Sequence, residues 1–117
     1  MVLNNENRTQ IKKWVEVLKS GKYEQGKGTL EANGKFCCLG VACDLFIPKD
    51  KQMRGKKGHL VGMLPHDQDY APDWLHSVNA DIRVGYGTSL STMNDRGESF
   101  IEIANIIEDM YLSQHLE

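Results

Sequence analysis

A cysteine, three histidines and an asparagine–aspartate pair follow one another along the chain in the order that papain-like hydrolases use. Cys38 lies between a predicted strand and a predicted helix, and the N-terminal end of a helix lowers the pKa of a thiol and so favours the nucleophilic thiolate. Asn94 or Asp95 would orient the base. The base itself would be one of three histidines: His59, His66 or His76.

The same cysteine has a simpler interpretation. Cys37 and Cys38 are adjacent in a nearly apolar segment, and a buried free cysteine is far more often a small core residue than a nucleophile. Packing is therefore the preferred interpretation. A small hydrolase that uses Cys38 or Asp95 is the alternative.

Polar residues in the segment after the first helix are suited to binding a small ligand. Tyr23, Gln25 and Lys27 alternate, so they share one face of an extended segment. A tyrosine ring stacks, a glutamine amide donates and accepts hydrogen bonds, and a lysine pairs with an anion. Asp44 is expected to hold one of these side chains in place. An exposed loop with a chance pattern is the competing interpretation.

Asn94 and Asp95 precede the last predicted helix. Turn chemistry alone explains both, because Asx side chains hydrogen-bond to nearby backbone groups and Gly97 supplies a positive φ. Ser99 already serves as the helix cap, however, and an amide beside a carboxylate is suited to binding ribose hydroxyls or a base edge. The predicted ligand-binding set is therefore Tyr23, Gln25, Lys27, Asp44, Asn94 and Asp95.

Other common sites are missing from the sequence. The cysteines and histidines are not spaced as zinc ligands, and no Gly-rich phosphate loop, GxSxG elbow or HExxH motif occurs. No metal and no cofactor is expected. Lys49–Lys57 is basic, but the net charge is -2 and the pI is about 6.1, whereas nucleic-acid-binding domains usually carry a clear basic excess. Nucleic acid is therefore not an expected partner.

Length and charge describe one small domain. The chain has 117 residues, no apolar run near the roughly 18 residues of a membrane span, and no apolar core of a secretory signal at its N-terminus. We expect a single domain over residues 1–117, a cytoplasmic location and no membrane partner. Residues 1–58 hold 12 Lys/Arg and 6 Asp/Glu (+6), and residues 59–117 hold 2 and 10 (-8); the two halves are expected to face and partly neutralise each other.

Several elements that position these residues have clear local signals. Apolar residues at helical spacing predict a helix over residues 8–20, with Thr9 as its N-cap. Asn33-Gly34 predicts a hairpin over residues 29–37, and residues 38–46 predict a buried helix. The capping box from Ser99 to Glu102 opens a C-terminal amphipathic helix.

The middle of the chain has weaker signals: a strand from His59 to Leu64, a short helix at Pro72–Leu75, and one helical turn at Ser89–Met93. Gly85-Tyr86-Gly87 favours a loop. Together the elements predict an α+β fold, in which a short antiparallel sheet or hairpin is combined with an N-terminal helix, a buried central helix and a C-terminal amphipathic helix packed on the sheet.

Three blocks of the sequence resemble one family of small proteins encoded by tailed phages, prophages and their bacterial hosts. The blocks are Ser20-Gly21-Lys22-Tyr23 with Gln25 and Gly28, Phe36-Cys37-Cys38-Leu39-Gly40-Val41-Ala42-Cys43-Asp44-Leu45, and Asn94-Asp95-Arg96-Gly97 before Phe100, Ile103 and Ala104. The family pattern has leucine where this chain has Ala42 and Met93. The resemblance implies a phage-type source and a shared fold, and no particular activity.

These observations lead to one principal functional hypothesis and two alternatives. We expect a phage-encoded, non-catalytic binding protein that acts on the host and sequesters a small nucleotide-type signal of bacterial immunity. By analogy with capture proteins that share a pocket between copies, a homo-oligomer is expected. The alternatives are the cysteine-dependent hydrolase and a protein-interaction module that inhibits a host enzyme.

Overall fold

The computed structural model describes residues 5–28, 30–46, 53–54, 60–62 and 73–112. His59, His66 and all of Lys49–Lys57 except Met53 and Arg54 lie outside these residues. The elements, in chain order, are α1 (Asn5–Ser20), β1 (Glu24–Gln25), β2 (Glu31–Ala32), β3 (Lys35–Phe36), α2 (Cys38–Phe46), β4 (Met53–Arg54), β5 (Leu60–Gly62), α3 (Asp73–Tyr86), α4 (Leu90–Asp95) and α5 (Phe100–Tyr111). The predicted α+β class is confirmed.

Helix α1 has the predicted apolar stripe and an earlier start. Ile11, Trp14 and Leu18 are buried. Thr9 was predicted to be the N-cap, and that prediction is wrong: Thr9 lies inside the helix, where its hydroxyl donates to the backbone oxygen of Asn5 at 2.8 Å. A threonine can bond back to the i−4 carbonyl in this way, so it need not mark a helix start.

The sheet is mixed and has the strand order β1-β3-β2-β5-β4. Strands β2 and β3 form the predicted antiparallel hairpin, with Glu31 opposite Phe36. Asn33 and Gly34 take positive φ values of 56° and 80° at its turn, as a two-residue type I′ turn requires. Strand β1 pairs with β3 in parallel, so the sheet is not purely antiparallel as the sequence had suggested.

Helix α2 is buried because small residues let it approach the hairpin. A Cβ on Gly40 would lie 1.9 Å from the backbone oxygen of Leu30, a distance that no side chain can occupy. Glycine at position 40 therefore permits the close approach of α2 to the backbone of Leu30. The indole Nε1 of Trp14 on α1 donates to the backbone oxygen of Cys38 at 2.9 Å.

Helix α3 is longer than predicted. It continues to Tyr86 and ends before Gly87, which has a φ of 77°. The sequence predicted only a short helix near Trp74 because Gly85 lowers helix propensity. Leu75, Val78 and Ile82 are buried at helical spacing, so packing overrides the local preference.

Helix α5 begins with the predicted capping box, in which Ser99 and Glu102 each accept from the other's backbone N–H. The sequence predicted that α5 packs on the sheet, but its main packing partner is α1. Lys19 of α1 forms an exposed ion pair with Glu108 of α5 at 3.1 Å, so at this contact the basic and acidic halves of the chain do face each other. Among the described residues, no helix has the length and apolarity needed to cross a membrane.

Candidate functional site

A buried asparagine near the end of α4 connects three parts of the chain. The side chain of Asn94 is fully buried, and its Oδ1 accepts from Nε2 of Gln25 at 3.0 Å and from the backbone N–H of Cys38 at 3.2 Å. Its Nδ2 donates to the backbone oxygen of Gly26 at 2.7 Å. We call Asn94, Gln25, Gly26 and Cys38 the Asn94 clasp.

Local structure holds each part of the Asn94 clasp in position. Ser89 caps α4 by accepting from the backbone N–H of Thr92, which fixes the short helix that carries Asn94. Gln25 donates a second hydrogen bond, at 2.7 Å, to the backbone oxygen of Glu98. Gly26 donates to the backbone oxygen of Phe36 at 2.8 Å. The clasp therefore fastens β1 and the start of α2 to the turn between α4 and α5.

Asp95 and Lys27 lie beside the clasp and are exposed. Oδ1 of Asp95 accepts from the backbone N–H of Gly28 at 3.0 Å. Nζ of Lys27 lies 3.6 Å from the point that a Cβ on Gly97 would occupy, just beyond the C-terminal end of α4, where the helix dipole favours a cation. Within the described part of the chain, Lys27 forms no ion pair.

Tyr23 and Asp44 form a separate pair. The Tyr23 hydroxyl donates to Oδ2 of Asp44 at 2.5 Å, and its ring meets the ring of Phe36 edge to face, with centroids 4.9 Å apart. Burial, followed by the hydrogen bond to Asp44 and its charge, raises the pKa of Tyr23 well above its usual value. Asp44 thus holds one of the three alternating side chains, as the sequence had suggested.

All three cysteines lie in the core as free thiols. Cys38 is fully buried, and its Sγ lies 3.6 Å from the backbone oxygen of Leu90, to which it donates. Burial, and to a lesser degree the neighbouring Cys37, raises the pKa of the Cys38 thiol well above its usual value, and burial likewise raises that of Cys43 to about 12. A thiol in this environment stays protonated and inaccessible.

The other residues that the hydrolase hypothesis requires do not support it. Both polar atoms of the Asn94 side chain already form hydrogen bonds within the Asn94 clasp. Asn94 is therefore not available to orient a base at Cys38. The side chains of His59, His66 and His76 lie outside the described residues. In the part of the chain that the structure describes, no group of three or more His, Cys, Asp or Glu side chains is arranged to hold a metal ion.

The structure brings Gln25, Asn94 and Asp95 together and places Lys27 against the same turn, while Tyr23 and Asp44 pair separately. The sequence did not predict the backbone partners, Gly26 and Glu98, nor that Asn94 is buried. An Asn-Asp pair before a helix is typical of an exposed turn. Long-range contacts of Asn94 with Gln25, Gly26 and Cys38 place it in the interior instead.

The fold and the clasp define a small α+β domain with no accessible cysteine nucleophile among its described residues. Residues 7–74 match the model of a family described as a domain of unknown function, DUF8296. Because this match covers more than half of the chain, the protein belongs to that family. No curated protein and no solved structure matches the chain.

Proposed function

We propose that this protein is a non-catalytic binding protein that captures a small nucleotide-type ligand beside the Asn94 clasp. The observation that carries the proposal is the juxtaposition of two short segments, residues 26–28 and 94–97. The side chains of Asn94 and Asp95 hold the backbone of Gly26 and Gly28 by hydrogen bonds, and the two segments carry an exposed ammonium on Lys27 and an exposed carboxylate on Asp95. Binding groups on a support that is already rigid lose little entropy when a ligand binds.

The two exposed groups have complementary chemistry for a nucleotide. Asp95 uses Oδ1 for Gly28, and its other oxygen is suited to accept from ribose hydroxyls. Lys27 supplies a positive charge for a phosphate group. Gln25 and Asn94 position these segments, and Tyr23 with Asp44 supports the strand that leads into them.

The burial of the cysteines separates this proposal from the cysteine hydrolase. A nucleophilic thiol needs exposure and a lowered pKa, whereas Cys38 has neither. The resemblance to small phage proteins supports a role against the host, in which the captured ligand is a nucleotide signal of bacterial immunity and the site of action is the host cytoplasm. A homo-oligomer would give a chain of this size more contact area for its ligand.

Isothermal titration calorimetry against cyclic nucleotides and ADP-ribose derivatives tests the proposal. We expect one member of the panel to bind with a micromolar or lower Kd. Asp95→Asn and Lys27→Ala should each weaken that binding about tenfold or more, since each removes a charged partner. Asp95→Asn leaves an oxygen that can accept from Gly28, so the local fold is retained.

Two exposed residues provide matched controls. Glu16→Gln on α1 and Lys22→Ala in the turn after α1 make equivalent charge changes at exposed positions outside residues 26–28 and 95–97, and we expect both variants to bind as the wild type does. No binding by a folded wild-type sample, or equal losses in the control variants, would overturn the proposal. Capture of a host protein from lysate without any nucleotide binding would replace it with the interaction module.

A further inference from the structure

The turn between β2 and β3 contains an asparagine followed by a glycine, the dipeptide that deamidates most readily in unstructured chains. We propose that Asn33 is a deamidation site and that the carboxylate of Glu31 controls its reactivity. This inference goes beyond the proposed function, because the hairpin supplies neither Lys27 nor Asp95.

The reaction requires only the chain and water. The backbone nitrogen of Gly34 attacks Cγ of Asn33; the N–Cγ bond forms, the Cγ–Nδ2 bond breaks, and the amide proton of Gly34 leaves with Nδ2 as ammonia. The product is a five-membered succinimide. Water then adds to one of its two carbonyls and opens the ring to aspartate or isoaspartate.

The side chain of Asn33 meets the requirements for this reaction. It is exposed, and among the described residues it makes no hydrogen bond. The next residue is Gly34, whose lack of a Cβ leaves the attacking nitrogen unhindered.

The native turn opposes the reaction. Positive φ at both central residues defines a type I′ turn, in which ψ of Asn33 is about +30°. That value of ψ directs the Gly34 nitrogen away from Cγ of Asn33, so the turn must open before the ring can close.

Glu31 keeps the turn closed. The backbone N–H of Gly34 donates to its Oε2 at 3.0 Å. The Glu31 residue is only 9% exposed, and its backbone pairs with Phe36 on one side and Leu60 on the other. Hydrogen bonds to a charged acceptor are among the stronger ones in proteins, and this one binds the very N–H whose proton the reaction removes.

Peptide mapping by mass spectrometry after incubation at neutral pH measures the rate, with isoaspartate as the diagnostic product. We expect Asn33 to deamidate more slowly in the folded wild type than in the same chain unfolded in urea. Glu31→Ala should accelerate the folded-state reaction about tenfold, because it removes a hydrogen bond to a charged group. Asn33→Gln should abolish the isoaspartate signal at this position.

A matched control distinguishes local opening from general instability. Ser99→Ala removes the N-cap of α5 and destabilises the fold without changing a residue of the hairpin, and we expect it to leave the Asn33 rate unchanged. Equal acceleration in both variants, or equal rates in folded and unfolded wild type, would overturn the proposal. If Glu31→Ala does not fold, hydrogen exchange of the wild-type Gly34 amide decides: slow exchange supports the proposal, and exchange as fast as an unstructured amide refutes it.

Discussion

Replacing Asn94 with alanine is the perturbation that bears most directly on the fold. The substitution removes the acceptor for the Cys38 N–H at 3.2 Å and the donor to the Gly26 carbonyl at 2.7 Å. Gln25 is affected less, because it keeps its hydrogen bond to the backbone of Glu98. Two backbone groups therefore lose the side-chain atom that satisfies them in the wild type.

The expected loss in the free energy of unfolding follows from these two backbone groups. A buried donor or acceptor that loses its partner costs about 1–3 kcal/mol. The Cys38 N–H is fully buried, whereas the half-buried Gly26 regains part of its loss from water, so we expect a total of about 3 kcal/mol. That is a large part of the roughly 5–15 kcal/mol that stabilises a domain, and it corresponds to a drop in Tm of about 12 °C.

Urea unfolding followed by circular dichroism measures this change. Asn105→Ala is the matched control, because Asn105 is exposed on α5 and alanine is the better helix former, so its free energy of unfolding should change by less than about 0.7 kcal/mol. A loss of less than about 1 kcal/mol in Asn94→Ala, similar in size to a typical exposed substitution, would refute the structural role that we assign to the clasp.

Three further predictions concern the core and the tyrosines. Gly40→Ala should cost more than about 3 kcal/mol or prevent folding, since its Cβ would lie 1.9 Å from the backbone oxygen of Leu30; Gly85→Ala, which meets only the flexible end of Met110 at 3.3 Å, should be neutral or slightly stabilising in thermal melts. The three buried thiols should react with a thiol reagent only as fast as the chain unfolds, and rapid labelling of Cys38 in the folded protein would contradict its placement. The folded-state pKa values of Tyr23 and Tyr111 are raised, so the contribution of these tyrosines to the free energy of unfolding should be complete below about pH 10 and should be lost as the pH rises above it. Tyr23→Phe should reduce this alkaline loss of stability in unfolding curves measured across alkaline pH.

The sequence predicts the elements whose signals are local. The signal for the start of α5 spans only four residues, from Ser99 to Glu102, and the signal for the hairpin turn is the adjacent pair Asn33-Gly34. Helix α3 was missed because Gly85 lowers helix propensity at one end, while the packing of Val78 and Ile82 that maintains the helix depends on the rest of the fold.

The candidate site could be predicted only in part. Asp44 was expected to hold one of the alternating side chains, and it does hold Tyr23. The clasp joins residues 69 positions apart in Gln25 and Asn94, and no local pattern encodes such a contact. The same long-range geometry buries Asn94, whereas Lys27 and Asp95 are exposed.

Nuclear magnetic resonance titration of the ¹⁵N-labelled protein tests the proposed binding site most directly, because it reports both whether a ligand binds and where. Each cyclic nucleotide and ADP-ribose derivative would be added to the folded protein while the backbone amide signals are followed. We predict that one of them shifts the amides of residues 26–28 and 95–97 in saturable fashion, and that Asp95→Asn weakens this response. Absence of shifts with every member of the panel, or shifts confined to another surface, would contradict the account.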